Sequence, residues 1–297
     1  ALMVMALITC SAAVAQDDVG LVSFNEGIDH YEAGRLAEAK ASFLAALETR
    51  PDDAIVLCWL GSLAVRMNEP DEAVGYLTQA IKQDPDYAVS YNNLGNAYLA
   101  KNDLAQAEAQ YLKATEVDAK YFDAWYNLAN LYVRAAKYEK AFNTYNEALA
   151  INPNDFEAHV VFGHALRKVG DTSKAIREFE AAAAIRADAG VLTILGTLYT
   201  KEQNLPKAIE DYEAALAIDT DIVEAHIGLG LALYSQRDYA GAIEHWRTAT
   251  ELDPTSFPAR YNLGLAYAAM QDHANAATAY ADALALKGDD ANCLNNL

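Results

Sequence analysis

Cysteine, proline and glycine are all scarce in this chain, which has 3 Cys, 7 Pro and 15 Gly in 297 residues. Three cysteines cannot supply a disulfide framework, so side-chain packing must hold the fold together. Few glycines and prolines, together with 60 Ala and 18 Tyr, favour closely packed helices over turn-rich sheets.

Positive charge is scarce as well, because 22 Lys and Arg stand against 42 Asp and Glu, for a formal net charge of -20. Such a surface repels phosphate groups, and we therefore expect neither nucleic acid nor an anionic membrane as the main partner. Apolar residue types still make up 53% of the chain. This fraction excludes an intrinsically disordered protein.

Residues 1–15 carry no charged side chain and end in the small-residue sequence Ala13-Val14-Ala15. An apolar stretch with this ending is typical of a secretory signal peptide. We expect residues 1–15 to be a signal peptide truncated at its N-terminus, residues 16–19 to be a short leader, and the protein to be periplasmic or secreted. A truncated membrane anchor and a lipid attached to Cys10 are the two alternatives.

An internal period organises the rest of the sequence. Small residues recur every 34 residues, with one interval of 33, at Gly27, Gly61, Gly95, Ala129, Gly163, Gly196, Gly230 and Gly264. Two alanine series beginning at Ala39 and Ala46 keep the same frame, and a large residue separates them in every repeat, beginning with Phe43. Eight repeats in phase predict a tandem array of one structural unit.

The repeat from 122 to 155 shows how one unit is built. Trp125 and Leu128 belong to one apolar helix face, and Ala141 and Tyr145 belong to the face of a second helix. Small residues on one helix receive large ones from the other, so the two helices form a close pair. Since neither helix can bury its remaining apolar side alone, each pair must stack on the next.

Several segments resemble the tetratricopeptide repeat family. Trp125-Tyr126-Asn127-Leu128 and Tyr261-Asn262-Leu263-Gly264 are similar to the start of its first helix, and Ala148–Pro153 is similar to the end of its second. The resemblance implies an all-α, right-handed superhelical solenoid of helix-turn-helix repeats with a groove lined by the first helices. The repeats it implies are 20–53, 54–87, 88–121, 122–155, 156–188, 189–222, 223–256 and 257–290, and residues 291–297 are expected to begin a further, truncated repeat or a capping helix.

The single interval of 33 residues places a deletion between Ala184 and Leu192. The usual stop of Asn or Asp followed by Pro is missing there. We expect a shortened or more helical junction and a local change of twist.

No arrangement typical of an enzyme is present. The six histidines do not have metalloprotease spacing, and neither a Cys-x-x-Cys pair nor a phosphate-binding loop exists. His159 and His226 occupy positions where packing between helices is the expected role. The sequence therefore predicts no catalytic residue, no cofactor and no metal.

The resemblance also implies which side chains line the groove. Amides there bind a peptide backbone, and cations beside them favour an acidic side chain or a terminal carboxylate. Alternatively, the cations only pair with carboxylates such as Asp123, Glu157 and Glu202. The predicted peptide-binding groove consists of Asn92, Asn96, Tyr126, Asn127, Asn130, Arg134, His164, Arg167, Lys168 and Lys201.

Chaperone-binding members of the family hold a C-terminal carboxylate with two Asn and several cations. Asn96 and Asn127 match the two Asn positions, but Asn92, Glu157 and Val161 stand where the cations should be. A chaperone tail is therefore not the expected partner.

Three function hypotheses follow. The first is a non-enzymatic interaction scaffold of the bacterial cell envelope, which binds an extended segment of a partner protein and leaves homo-oligomerisation open. The second is the recognition arm of a larger enzyme, such as a glycosyltransferase, whose catalytic part lies beyond residue 297. A role in assembling envelope polysaccharide or outer-membrane machinery is a third possibility. No direct membrane binding is expected after removal of the signal peptide.

Overall fold

The computed structural model of the protein describes residues 19–287 and 290–296, which form seventeen α-helices and no β-strand. Helix α1 covers 19–32. The others are α2 Leu36–Thr49, α3 Ala54–Arg66, α4 Pro70–Gln83, α5 Ala88–Ala100, α6 Leu104–Val117, α7 Phe122–Arg134, α8 Tyr138–Ile151, α9 Phe156–Val169, α10 Thr172–Ile185, α11 Ala189–Lys201, α12 Leu205–Ile218, α13 Val223–Ser235, α14 Tyr239–Leu252, α15 Phe257–Ala269, α16 His273–Leu286 and α17 Ala291–Asn296. The predicted all-α class is confirmed.

The chain divides into two compact units, Ala1–Pro153 and Asn154–Leu297. Within each unit, the odd-numbered helices from α3 to α15 each pair with the even-numbered helix that follows. First helices of successive repeats also pack on each other, as α3, α5 and α7 do in the first unit and α11, α13 and α15 in the second. The second helices have no comparable mutual contact, so the first helices line the inner side of each unit.

The contact between the two helices of a repeat follows the predicted frame. A Cβ added to Gly95 would lie 2.5 Å from the ring of Tyr111, and one added to Gly61 would lie 2.3 Å from Leu77. All other glycines of the series meet the large residue of their own repeat in the same way. The large residues are at most 2% exposed, and the alanines of both series are almost fully buried. Small-to-large packing inside each repeat is therefore confirmed.

One residue in the turn between the two helices of each repeat has a left-handed backbone, with φ between 57 and 85°. With this conformation, the amide of the next residue can donate a hydrogen bond to a carbonyl in the last turn of the first helix. In the third repeat, for example, the Asp103 amide donates to the Tyr98 carbonyl at 2.9 Å. Only two of the eight residues are glycines, which is why the sequence did not reveal the position. They are Gly34, Asn68, Asn102, Ala136, Gly170, Gln203, Arg237 and Gln271.

The deletion falls in the loop before α11. Helix α10 ends at Ile185 and α11 begins at Ala189, leaving three linking residues where junctions such as 84–87 have four. The Asp188 carboxylate caps the new helix by accepting from the Val191 amide at 3.0 Å. Helices α9 and α11 lack the close packing seen between other successive first helices of this unit. The predicted shortened junction is confirmed.

The predicted signal peptide, residues 1–15, lies outside the described residues. Within the described ranges, no helix combines the length and the apolar character needed to cross a membrane. At the other end, α17 packs against α16 and its Cys293 is buried.

Candidate functional site

The predicted groove residues all lie on first helices, but they are divided between the two units. Asn92 and Asn96 belong to α5, and Tyr126, Asn127, Asn130 and Arg134 belong to α7, both in the first unit. His164, Arg167 and Lys168 belong to α9, and Lys201 ends α11, both in the second. Each set is therefore a surface of its own unit.

Amide side chains in the first unit form a ladder across three repeats. Asn127 Nδ2 donates to Asn92 Oδ1 at 2.9 Å, and Asn92 Nδ2 lies 3.4 Å from Asn93 Oδ1. Asn93 Nδ2 then donates to Cys58 Sγ at 3.4 Å. The ladder thus connects α7 to α5 and α5 to α3. Asn92 is only 3% exposed and offers a partner little surface.

Asn96 and Asn130 each hold the buried tyrosine of their own repeat. The Tyr111 hydroxyl donates to Asn96 Oδ1 at 2.7 Å, and the Tyr145 hydroxyl donates to Asn130 Oδ1 at 2.5 Å. Burial raises the pKa of both phenols above the ordinary value of 10, so both stay protonated donors. Within the described residues, the Nδ2 groups of both asparagines make no hydrogen bond and are the atoms left for a ligand.

Two further predicted residues complete the surface of α7. Tyr126 stacks on Phe122, with ring centroids 5.8 Å apart and an angle of 13° between the rings. Arg134 is exposed and its Nη2 donates to Asn102 Oδ1 at 2.7 Å, which ties it to the turn of the preceding repeat.

The basic cluster of the second unit is solvent-exposed. Arg167, Lys168 and Lys201 form no ion pair within the part of this unit that the structure describes, and Glu157 pairs with Arg186 instead, at 3.4 Å. His164 packs edge-on against Phe179 at 5.1 Å. Burial, and then the nearby Arg167, lower the pKa of His164, so its imidazole is neutral at pH 7.

Two adjoining depressions on the first unit bring in residues outside the predicted set of ten. They share Ser62 and Asn93. Asn93 stands two residues before the small residue of its repeat, the position that the predicted Asn127 has in the next repeat. The repeat frame could therefore have indicated Asn93. A depression of about 170 Å³ is lined by Cys58, Trp59, Ser62, Tyr87, Val89 and Asn93. One of about 240 Å³ is lined by Tyr31, Ser62, Val65, Arg66, Asn93 and Asn96.

The two histidines predicted to pack between helices do so. His159 is 9% exposed and its Nδ1 lies 2.8 Å from Glu178 Oε2, while His226 is 8% exposed and contacts His245. Across residues 19–287 and 290–296, no three His, Cys, Asp or Glu side chains converge as a metal site would require.

Family models, each described in one of two ways, together match most of the chain. The model described as TPR repeat matches residues 95–135, 196–237 and 230–271. Models described as Tetratricopeptide repeat match residues 24–88, 76–109, 122–155 and 257–290. Among curated proteins, none matches this chain.

Solved structures share the fold at low sequence identity. The C-terminal part of a TPR repeat-containing protein from Cytophaga hutchinsonii has a TM-score of 0.67 and 15% identity, over 80% of this chain and 98% of that one. Pseudomonas aeruginosa pilF has a TM-score of 0.60 and 19% identity, over 71% and 96%. MamA from Desulfovibrio magneticus RS-1 has a TM-score of 0.53 and 23% identity, over 57% and 97%. At these identities the similarity shows the fold alone.

Proposed function

Because this chain belongs to the tetratricopeptide repeat family, we propose that it is a non-enzymatic interaction scaffold of the cell envelope. It binds an extended segment of a partner protein on the inner face of its first helices. Arrays of this kind expose long surfaces that are well suited to extended ligands.

One observation carries the proposal for the first unit. The tyrosines of the core occupy only the Oδ1 atoms of Asn96 and Asn130, two partly exposed residues of first helices, and leave both Nδ2 groups without a hydrogen bond among the described residues. Amide groups held by buried hydroxyls have fixed positions, so they bind a peptide carbonyl at little cost in side-chain entropy. The backbone of any extended segment carries such carbonyls, which makes the contact independent of partner sequence.

The proposed location rests on the sequence of residues 1–15. If it is correct, the mature protein isolated from the source organism begins at Gln16 and is found in the periplasmic or secreted fraction. N-terminal sequencing by mass spectrometry measures this directly. Retention of residues 1–15 in a cytoplasmic fraction would contradict the location while leaving the scaffold function untouched.

The groove is tested by replacing Asn96 and Asn130 together with Asp. Each carboxylate still accepts from the Tyr111 or Tyr145 hydroxyl, but the amide donors are gone. We expect retention of captured partner proteins from periplasmic extract to fall at least about tenfold, since each lost hydrogen bond costs on the order of 1 kcal/mol. Thermal stability should stay close to that of the wild type.

The matched control replaces Tyr111 and Tyr145 together with Phe. This variant removes the two hydrogen bonds that fix the amides but keeps both Nδ2 donors, so it should lose about 1 kcal/mol of stability per site and weaken partner retention less than the Asp pair does. If the Asp pair captures every partner as well as the wild type does, the first helices of this unit are not the binding face.

A further inference from the structure

The two depressions of the first unit form one continuous surface. The smaller lies on α3 and α5, with Tyr87 contributed by the loop before α5, and the larger lies on α3 and α5 together with Tyr31 of α1. Ser62 and Asn93 line both of them and stand at the boundary. The lining residues follow one another along α3 from Trp59 through Ser62 to Arg66, so a segment running along α3 and α5 would pass from one depression directly into the other.

The smaller depression is an apolar pocket with a fixed wall. Trp59 forms the wall, and it is held by the edge-on ring of Tyr31 at 5.3 Å and by Phe43 at 5.8 Å. Val89 and the buried thiol of Cys58 add apolar surface. Because these side chains are already packed, an entering apolar side chain would remove surface from water without reordering the pocket.

The larger depression offers hydrogen-bond donors and no carboxylate. The Arg66 guanidinium lies 4.7 Å from the Tyr31 ring centroid, and its Nη1 donates to the Tyr31 carbonyl at 2.8 Å. These contacts fix Arg66, yet no described carboxylate pairs with it, although acidic residues outnumber basic ones almost two to one in this chain. Asn96 lines the same depression, and its amide keeps Nδ2 as a donor. An anionic acceptor complements this set of donors.

We propose that this surface recognises a short sequence feature of the bound partner, namely an apolar side chain and a side-chain carboxylate two residues apart. Side chains at i and i+2 of an extended segment point to the same face, about 7 Å apart. The apolar one enters the pocket beside Trp59, and the Asp or Glu carboxylate binds Arg66. The inference rests on the proposed function and adds the partner's sequence preference to it.

The experiment titrates the ¹⁵N-labelled full chain with short peptides capped at both ends and follows the tryptophan indole signals by NMR. The probes contain Leu-Ser-Glu or Glu-Ser-Leu between Gly and Ser residues. Matched peptides carry Gln for Glu or Ala for Leu, and one Gln peptide keeps a free C-terminal carboxylate. A variant with Trp59→Phe assigns the Trp59 signal.

We expect the peptides with both Leu and Glu to shift the Trp59 signal and to bind about tenfold more tightly than either matched peptide, because the Gln peptide loses one charge-assisted hydrogen bond and the Ala peptide loses buried apolar surface. Arg66→Gln should remove the preference for Glu over Gln. Arg35→Gln removes one exposed positive charge from the same unit, outside the depression, and should leave the preference intact. Unchanged signals of the other two tryptophans show that the variants are folded.

Equal binding of Glu and Gln peptides, or a preference that survives Arg66→Gln, would overturn the inference. Binding restored in the Gln peptide by the free C-terminus would assign the Arg66 site to chain ends and also overturn it. In each case, partner capture that depends on Asn96 and Asn130 would still support the proposed function.

Discussion

At the scale of single residues, the turns carry conformational strain that the repeats tolerate. Ala136 and Gly170 occupy the same turn position in neighbouring repeats, with φ of 57 and 85°. A left-handed conformation costs a residue with a Cβ about 1–2 kcal/mol, whereas glycine adopts it freely. No heavy atom lies within 4 Å of a Cβ added to Gly170, so strain alone distinguishes the two residues.

We therefore expect Ala136→Gly to stabilise the protein by about 0.5–1 kcal/mol, because relief of strain exceeds the added entropy of the unfolded chain. Gly170→Ala should destabilise it by about 1 kcal/mol. Chemical denaturation of both variants measures the two effects. Changes of the same sign in both would show that the backbone conformation does not govern these sites.

A pair of imidazoles, the buried His226 and the partly buried His245, lies between α13 and α14. His226 Nε2 donates to the Thr220 carbonyl at 3.0 Å, so its Nδ1 must accept from His245 Nδ1, also at 3.0 Å. Burial, followed by the neighbouring His226, lowers the pKa of His245 below its ordinary value of 6.5. Glu244, Glu213 and Asp238 act in the opposite direction but do not reverse the shift.

The sign of the pH dependence follows from this shift. Above pH 6.5 His245 is neutral in both the folded and the unfolded states, and as the pH falls the unfolded state takes up the proton first. We expect the melting temperature to fall between pH 7.5 and pH 5 less in His245→Gln than in the wild type. The exposed His273→Gln is the control and should follow the wild type; equal losses in all three proteins would contradict the role of the pair.

At the scale of the helices, the small residues fix how closely two helices approach. Ala107 on α6 is fully buried, whereas Ala105 on the same helix is exposed. Polar networks then tie successive repeats together: Glu108 of α6 accepts from Tyr132 of α7 at 3.0 Å and from Lys137 at 2.8 Å. Apolar packing sets the distance within a repeat, and such networks add contacts between repeats.

Ala107→Leu should overpack this contact and lower the free energy of unfolding by about 1–3 kcal/mol. Ala105→Leu makes the same chemical change on the exposed face, and we expect it to be nearly neutral. Denaturant titrations of the two variants compare them directly. Equal stability of both proteins would mean that the frame of small residues does not set the helix distance.

At the scale of the whole molecule, the net charge of -20 opposes the compact state. Attractive pairs also exist, such as Lys40, whose Nζ lies 2.8 Å from both Glu69 Oε2 and Glu72 Oε2. Exposed pairs of this kind contribute little individually. Repulsion should therefore dominate the effect of salt.

Raising NaCl from about 20 to about 200 mM shortens the screening length, so the melting temperature should increase at pH 7.5. Near the isoelectric point of about 4.5 the same change should have little effect, because the net repulsion is absent. Calorimetry at both pH values gives the comparison. A melting temperature that falls with salt at pH 7.5 would show that attractive pairs outweigh the net charge.

The sequence alone determined the fold class, the frame of small and large residues, and the shortened junction before Ala189. The fold class and the frame are periodic properties of side-chain size along the chain, and the shortened junction is a break in that period. Side-chain size follows directly from residue type. The packing of His159 and His226 followed from the same frame. The turn position did not, because Asn, Gln, Ala, Arg and Gly all occupy it and the conformation is imposed by the helices on either side.

Only the tertiary structure decided what the polar side chains do. Asn92 is at a groove position in the sequence, but the packing of α5 between α3 and α7 buries it in the amide ladder. Asn96 Oδ1 accepts from the buried Tyr111 hydroxyl, whereas its Nδ2 makes no hydrogen bond within the described residues. The positions of the Arg66 and Trp59 side chains depend on contacts with residues more than twenty positions away in the sequence, such as Tyr31. Residue type specifies what a side chain can bind, but burial and neighbours determine which of its atoms remain available.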